Sequence, residues 1–403
     1  MKVYTVGGYV RDMLMGAEPK DRDYVVVGAT HDDMIARGFS KVGSHFPVYL
    51  HPVTDDEYAL ARKETKTGEG YLGFETETDG ISLRDDLMRR DLTINSIAFD
   101  EKGEIFDPFN GQQDIQNKIL RHTSDAFKED PVRVLRIARF RARFGSDWTV
   151  ADETKKMVRA MGKKGVLSEL NADRIWKEMS RAMMEPNPRL FFDTLLEMDA
   201  LHKIFSEVYK LQTAIETRIW HPEGNTYEHT MLVLTQAAKF GFDLETRIAC
   251  LVHDFGKVLT PFSEMPSHHG HDVKGVALAR AFCERLSVPA KMTDRACHAT
   301  RWHMMMHKLH EIKGKTFVKM FMDMSAWNDP AMVDVLVRVG MCDERGRLGF
   351  EDTDVSDKQV LMKAWDAARS VTFTDVFPDG CTNVGKIKEG MLKARVKAVD
   401  AVL

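Results

Sequence analysis

Blocks of apolar residues four long, bounded by polar turns, dominate only the first part of the chain. Val3-Tyr4-Thr5-Val6, Tyr24-Val25-Val26-Val27, Tyr58-Ala59-Leu60-Ala61 and residues 94–99 read as strands. The glycine-containing stretch Lys66-Thr67-Gly68-Glu69-Gly70 reads as a mobile loop. From Asp125 the spacing becomes helical, over 131–144, 152–161, 171–184 and 188–201. Pro131 follows Glu129-Asp130 and suits a first helical turn, where its missing N–H is not needed and the acids complement the dipole. A further change falls at residues 220–225, after which histidines become frequent. The pattern predicts an α+β chain: a small α/β head (1–124), a helical neck and body (125–220), an all-α histidine-rich domain (221–350) and a helical tail (351–403).

Composition narrows the class. A chain of 403 residues is long enough for two or more cores. Its net charge of −4 excludes a generally basic nucleic-acid coat and leaves room for a local basic groove. No run approaches the roughly 18 apolar residues needed to span a bilayer, and no apolar leader opens the sequence, so the expectation is a cytoplasmic protein with no membrane partner. Cys250, Cys283, Cys297, Cys342 and Cys381 are odd in number and never form C-x-x-C, which fits buried thiols rather than a disulfide framework or a zinc ribbon.

Candidate chemistry begins at Val6-Gly7-Gly8-Tyr9-Val10-Arg11-Asp12 and Asp21-Arg22-Asp23. On a strand, Asp21 and Asp23 share a face with their carboxylates about 6–7 Å apart. Hard oxygen donors so spaced suit Mg²⁺, which keeps waters and takes further ligands from substrate phosphates. Gly7-Gly8 forms a turn where backbone N–H groups meet a phosphate, and Arg11 adds a fixed positive fork. Further on, Arg133, Arg136 and Arg139 form a slanting row on one helix, each about 4.5 Å further along its axis, with Asp130 one turn before. A carboxylate beside a guanidinium matches the Watson–Crick edge of a base; a solvated basic face with an acidic cap is the plainer reading.

Taken in order, these motifs resemble the class II tRNA nucleotidyltransferases of the polymerase β superfamily, the CCA-adding enzymes, with their poly(A) polymerase relatives. Gly7-Gly8-Tyr9-Val10-Arg11-Asp12 with Asp21-Arg22-Asp23 is similar to the first signature, and Arg89-Arg90-Asp91-Leu92-Thr93-Ile94-Asn95 to the second. Asp107-Pro108-Phe109-Asn110-Gly111 resembles the hinge motif, Glu129-Asp130-Pro131-Val132-Arg133 the nucleotide-selecting motif, and Asn171-Ala172-Asp173-Arg174 the last, helix-stabilising one. The resemblance implies that Asp21 and Asp23 hold Mg²⁺, that Gly8, Arg11, Arg90, Asp91, Arg136 and Arg139 bind the nucleotide, and that Asp130 and Arg133 select CTP or ATP. Glu57 is either a third catalytic carboxylate, as family members carry on such a strand, or a surface glutamate.

A second constellation is Asn225-Thr226-Tyr227-Glu228-His229, Leu251-Val252-His253-Asp254-Phe255-Gly256-Lys257 and Asp343. Gly256 is expected to permit a C-terminal helical turn. The set H…HD…D suits a transition metal that polarises a phosphate ester and activates water. It resembles the HD metal phosphohydrolases, and its place behind the head resembles the multifunctional bacterial CCA proteins. That implies His229, His253, Asp254 and Asp343 as ligands of Ni²⁺ or another transition metal, with 2′,3′-cyclic phosphodiesterase, 2′-nucleotidase and phosphatase activities. His268, His269, His271 and His303 either extend this site or are structural, whereas His307 and His310 read as packing or solvent residues. The implied partners are the tRNA 3′ end, CTP and ATP, acting with a monomer or homodimer. The alternatives are a poly(A) polymerase, or an HD-domain regulator with an inactive head.

Overall fold

Val25 and Val26 point to opposite faces of one strand, and both are buried, so the head sheet is covered on two sides. Val25 packs with Val6, Leu83, Leu87 and Ala98 on one face, and Val26 with Met34, Phe39, Tyr49 and Leu60 on the other. The computed structural model describes residues 1–19, 22–42, 48–66, 74–219 and 221–403, without the side chains of 64–66 and 74–76. Asp21 and most of the loop expected at Lys66–Gly70 lie outside these residues.

The described strands of residues 1–106 are β1 (Lys2–Val6), β2 (Asp23–Val27), β3 (Ser40–Val42), β4 (Val48–Leu50), β5 (Glu57–Leu60), β6 (Lys63–Lys66), β7 (Phe74–Glu77), β8 (Ala98–Phe99) and β9 (Ile105–Phe106). Seven of them make one sheet in the order β3-β4-β5-β2-β1-β8-β9, while β6 and β7 pair separately. β1 and β2 are antiparallel and flank the helix Gly8–Leu14; β2 and β5 are parallel. The strand expected over 94–99 is shorter than its apolar pattern suggests. Thr93–Asn95 turns as a 3₁₀ helix because Ser96 Oγ donates to the Leu92 carbonyl at 2.9 Å and the Asn95 amide donates to Asp91 at 2.9 Å, which competes with strand pairing.

Two compact units divide the chain: residues 1–170 with 193–200, and residues 171–192 with 201–403. In the first, the arginine row lies on the helix Val132–Phe144, closed by Gly145 at φ 102°. The helix expected over 188–201 ends at Glu197 instead, because Asp199 adopts φ 61° and the Ala200 N–H turns back to the Leu195 carbonyl at 2.8 Å. The second unit is helical, its centre built from Thr226–Lys239, Leu244–Val252, His271–Arg285, Ala290–Trp302 and Ala331–Arg345. Gly256 does not close a helix as expected: a Cβ there would lie 1.9 Å from the His271 carbonyl oxygen, so its bare α-carbon lets the turn after Asp254 lie against the start of His271–Arg285. Of the five free cysteines four are buried. Among the described residues no helix is long and apolar enough to cross a membrane.

Candidate functional site

The head site is built around a residue with no side chain. Gly7 follows β1 at φ 74°, and a Cβ there would stand 3.0 Å from Arg90 Nη1 and 3.7 Å from Asp23 Oδ2. Glycine thus lets an arginine and a carboxylate converge on the turn that Gly8 continues. Asp23 opens β2 and is in register with Glu57, the first residue of the parallel β5. Their side chains therefore share a sheet face one strand spacing apart, about 4.8 Å. Both are exposed to solvent. Oxygen donors open to water fit a hard divalent cation.

Arg90 is aimed by a residue the sequence did not single out. Asp86, on the helix Leu83–Met88, is fully buried and accepts from Arg89 Nη2 at 2.6 Å and Arg90 Nη2 at 3.2 Å. Burial alone raises an acid's pKa, but the two guanidinium groups hold Asp86 below the usual carboxylate range. An acid three and four residues before an arginine pair is the signal that reveals it.

Asp91 joins the second motif to the arginine row. Its carboxylate accepts from the Leu92 N–H at 2.9 Å, the Asn95 amide at 2.9 Å and Arg136 Nε at 2.7 Å. Against its burial, Arg136 and Asn95 keep it ionised well below the ordinary range. Arg11 is turned into the head, with Nε on Asp12 at 2.8 Å and Nη1 on the Asn95 side-chain oxygen at 2.7 Å. The guanidinium carbons of Arg139, Arg11 and Arg136 lie 4.9, 5.1 and 5.7 Å from the centre of the Phe140 ring. One aromatic side chain thereby spaces three cations. Asp130 accepts from the Val132 N–H at 3.2 Å and so starts the helix, while Arg133 Nη1 donates to the Ala126 carbonyl at 2.8 Å.

In the helical unit a buried cluster forms from helices far apart in sequence. His229 Nε2 lies 3.0 Å from Asp343 Oδ1 and 3.6 Å from Asp254 Oδ2, and His253 Nε2 lies 3.2 Å from Asp254 Oδ2. His271 and His303 join them, with their Nε2 atoms 3.2 and 3.4 Å from Asp254 Oδ1. Three of these imidazoles are oriented alike. The Nδ1 atoms of His253, His271 and His303 lie 2.7, 2.7 and 2.8 Å from the carbonyl oxygen three residues upstream, which presents each Nε2 to the centre. Ligand atoms of His229, His253 and Asp343 lie within 4.8 Å of one another, as do those of Asp254, His271 and His303. His253 Nε2 and Asp254 Oδ1 are buried without a hydrogen-bond partner. Orphaned donor atoms in an imidazole and carboxylate set fit a transition metal.

The structure divides the remaining histidines, which the sequence left open or read as packing or solvent residues. His268 faces away, with Nδ1 2.8 Å from Thr260 Oγ1 and Nε2 3.0 Å from the Ile215 carbonyl, and His269 is exposed. His307, read from sequence as a packing or solvent residue, stands at the cluster with Nε2 2.9 Å from Asp343 Oδ2 and Nδ1 3.2 Å from Glu344 Oε2. The cause is local: His303–His307 is a 3₁₀ turn, not the amphipathic helix its Met-rich spacing suggests. His310 remains exposed. Burial lowers the pKa of both His229 and His307, yet neighbouring carboxylates raise them to about 10 and about 9.

Residues 3–121 match the poly A polymerase head domain family, and residues 226–339 match the HD domain family. Two separate stretches of the chain are thus similar to known domain families, a poly A polymerase head and, behind it, an HD domain. Residues 147–211 match a third family, described as probable RNA and SrmB-binding site of polymerase A. Solved structures with the same fold include a Bacillus stearothermophilus CCA-adding enzyme in complex with CTP, at TM-score 0.62 and 21% identity over 98% of this chain and 88% of that one. A Thermotoga maritima CCA-adding enzyme complexed with tRNA matches at TM-score 0.61 and 20% identity, over 99% and 87% of the two chains. A tRNA-processing enzyme complex matches at TM-score 0.59 and 20% identity, over 99% and 97%. The family resemblance drawn from the motifs, and the α+β class with its mixed-sheet head and helical HD domain, are borne out.

Proposed function

We propose that the head adds C and A residues to the 3′ end of tRNA without a nucleic-acid template, and that the HD centre hydrolyses phosphate esters. The observation that carries the first part is the convergence of Arg90 and Asp23 on Gly7, with Glu57 in register beside Asp23. Asp23 and Glu57, with Asp21, would hold Mg²⁺, which neutralises charge on the triphosphate and acidifies the attacking 3′-hydroxyl. Arg90, fixed by Asp86, and the row of Arg136 and Arg139 orient the triphosphate, and Asp91 sets that row by fixing Arg136. Arg11 positions the glycine turn through Asp12 and Asn95. Asp130 and Arg133 form the base-reading edge at the start of the arginine helix.

The attacking oxygen bonds to the α-phosphorus of CTP or ATP, the bond to the β-phosphate bridging oxygen breaks, and pyrophosphate leaves. The decisive assay gives purified protein CTP alone with a tRNA lacking its 3′-terminal CCA. Addition of two C residues is the expected result; addition of A only, with ATP supplied, would make it a poly(A) polymerase. Within this assay Arg133→Ala is expected to narrow the CTP to ATP preference by about tenfold or more, the discrimination of a bidentate base contact of about 1–3 kcal/mol. Unchanged preference would remove Arg133 from selection.

The HD reading rests on the orphaned His253 Nε2 and Asp254 Oδ1. His229, His253, Asp254 and Asp343 would hold nickel or another transition metal, with His271 and His303 on the far oxygen of Asp254; such a metal polarises a phosphate ester and acidifies water. 2′,3′-Cyclic and 2′-phosphate ends of RNA are the substrates proposed for this unit.

A further inference from the structure

The turn that the sequence marks as a boundary is closed into a loop against the HD cluster. Ile215 bridges Asn225, the Glu216 N–H donates to the Gly224 carbonyl at 3.1 Å, and the Thr226 N–H donates to the Ala214 carbonyl at 3.0 Å. Both ends of the loop are therefore pinned, and residue 226 opens the helix that carries His229. Two acids of this loop turn inward. Glu216, 5% exposed, accepts from Lys257 Nζ at 2.7 Å and from Thr226 Oγ1 at 2.8 Å. Lys257 Nζ in turn lies 2.8 Å from Asp254 Oδ2. Glu223 stands with Oε1 2.9 Å from His221 Nδ1 and 3.2 Å from His229 Nδ1, while its Oε2 accepts from the Leu348 N–H at 3.2 Å.

We infer that Glu216 and Glu223, beside the two pinned ends of this connection, form the outer layer of the HD metal centre, with Glu216 the residue that aims Asp254. The inference rests on the reading of this cluster as a metal centre. A buried ammonium must be paired to offset its desolvation, and Lys257 has two carboxylates to share it, Glu216 and Asp254. With Glu216 holding Lys257, the ammonium takes only Oδ2, and Oδ1 stays turned toward His271 and His303. Thr226 makes the same carboxylate the anchor for the start of the His229 helix. Glu223 buttresses the opposite face of His229 from the one directed at Asp343. Outer-layer carboxylates of this kind change metal affinity by about 10–100-fold.

The test titrates the full-length, metal-stripped chain with Ni²⁺ by calorimetry, alongside metal content after dialysis, for wild type, Glu216→Gln and Glu223→Ala. Glu216→Gln keeps the size and the acceptor for Thr226 but removes the charge facing Lys257. Ni²⁺ affinity is expected to fall about 10–100-fold in Glu216→Gln and by a similar factor in Glu223→Ala, with CTP incorporation by the head and the melting profile unchanged. Affinity within twofold of wild type overturns the inference and leaves the metal reading intact. A Glu216→Gln chain that melts early and loses head activity as well overturns it too, by assigning Glu216 to the fold. Wild type that binds no Ni²⁺ in this unit overturns the metal reading itself, and the inference with it.

Discussion

Asp23→Asn is expected to lower nucleotide incorporation into tRNA by about three orders of magnitude, with CTP binding and thermal stability little changed. Asp23 opens β2 on an exposed position, so an isosteric amide costs the fold almost nothing. The loss falls on chemistry. Removing one of the few carboxylates beside the triphosphate withdraws several kcal/mol of charge stabilisation, and each 1.36 kcal/mol is tenfold in rate, so about 4 kcal/mol gives the factor stated. Single-turnover extension of a tRNA lacking CCA, with saturating CTP and Mg²⁺, measures it. A chain keeping a tenth of wild-type kcat would exclude Asp23 from metal binding. The same assay on Glu57→Gln decides whether the register of β2 with β5 has catalytic meaning or merely sets two acids side by side.

The head was legible in sequence because its chemistry is local. A glycine pair, an arginine and Asp23 fall within one strand-turn-helix-strand unit, so their grouping is readable from a short stretch of chain. What the sequence concealed depends on long-range packing. Asp86 shows its role only through the two arginines it anchors, and Phe140 reads as an ordinary core residue until three guanidinium groups are seen around its ring. In the HD unit the residue types of the proposed ligand set were readable, since a His-Asp pair ending an apolar run is unusual. Its outer layer was not. Glu216 and Glu223 lie in a polar stretch with the composition of a linker, and only the closure of that loop turns their side chains inward. His307 is exposed, in keeping with its reading as a packing or solvent residue, and what the sequence did not reveal is that a 3₁₀ turn also brings its ring to Asp343.

Asp254→Asn is the substitution expected to separate the two proposed activities most sharply. Each oxygen of Asp254 has its own neighbours: Oδ2 lies near Lys257, His253 and His229, and Oδ1 lies 3.2 and 3.4 Å from His271 and His303 without hydrogen-bonding to them. Burial raises an acid's pKa, yet His253 and Lys257 hold this carboxylate well below its ordinary range, so it is the fixed anion around which the cations gather. An asparagine keeps the shape but leaves Lys257 with Glu216 alone, and turns an amide N–H₂ toward either the ammonium or the imidazoles. Breaking a buried pair costs about 3–5 kcal/mol when a charge is left uncompensated, and Glu216 limits that loss here. Phosphate-ester hydrolysis should fall by about 10³-fold or more, on the same scale of several kcal/mol for a metal ligand, and bound transition metal should drop below one equivalent. Addition of C and A to tRNA should persist in the same preparation, since the acids proposed to hold metal in the head, Asp23 and Glu57, lie elsewhere in the chain. Retained hydrolysis with full metal content would show that Asp254 shapes the centre without ligating, and loss of both activities together would show that its charge holds the helical unit folded.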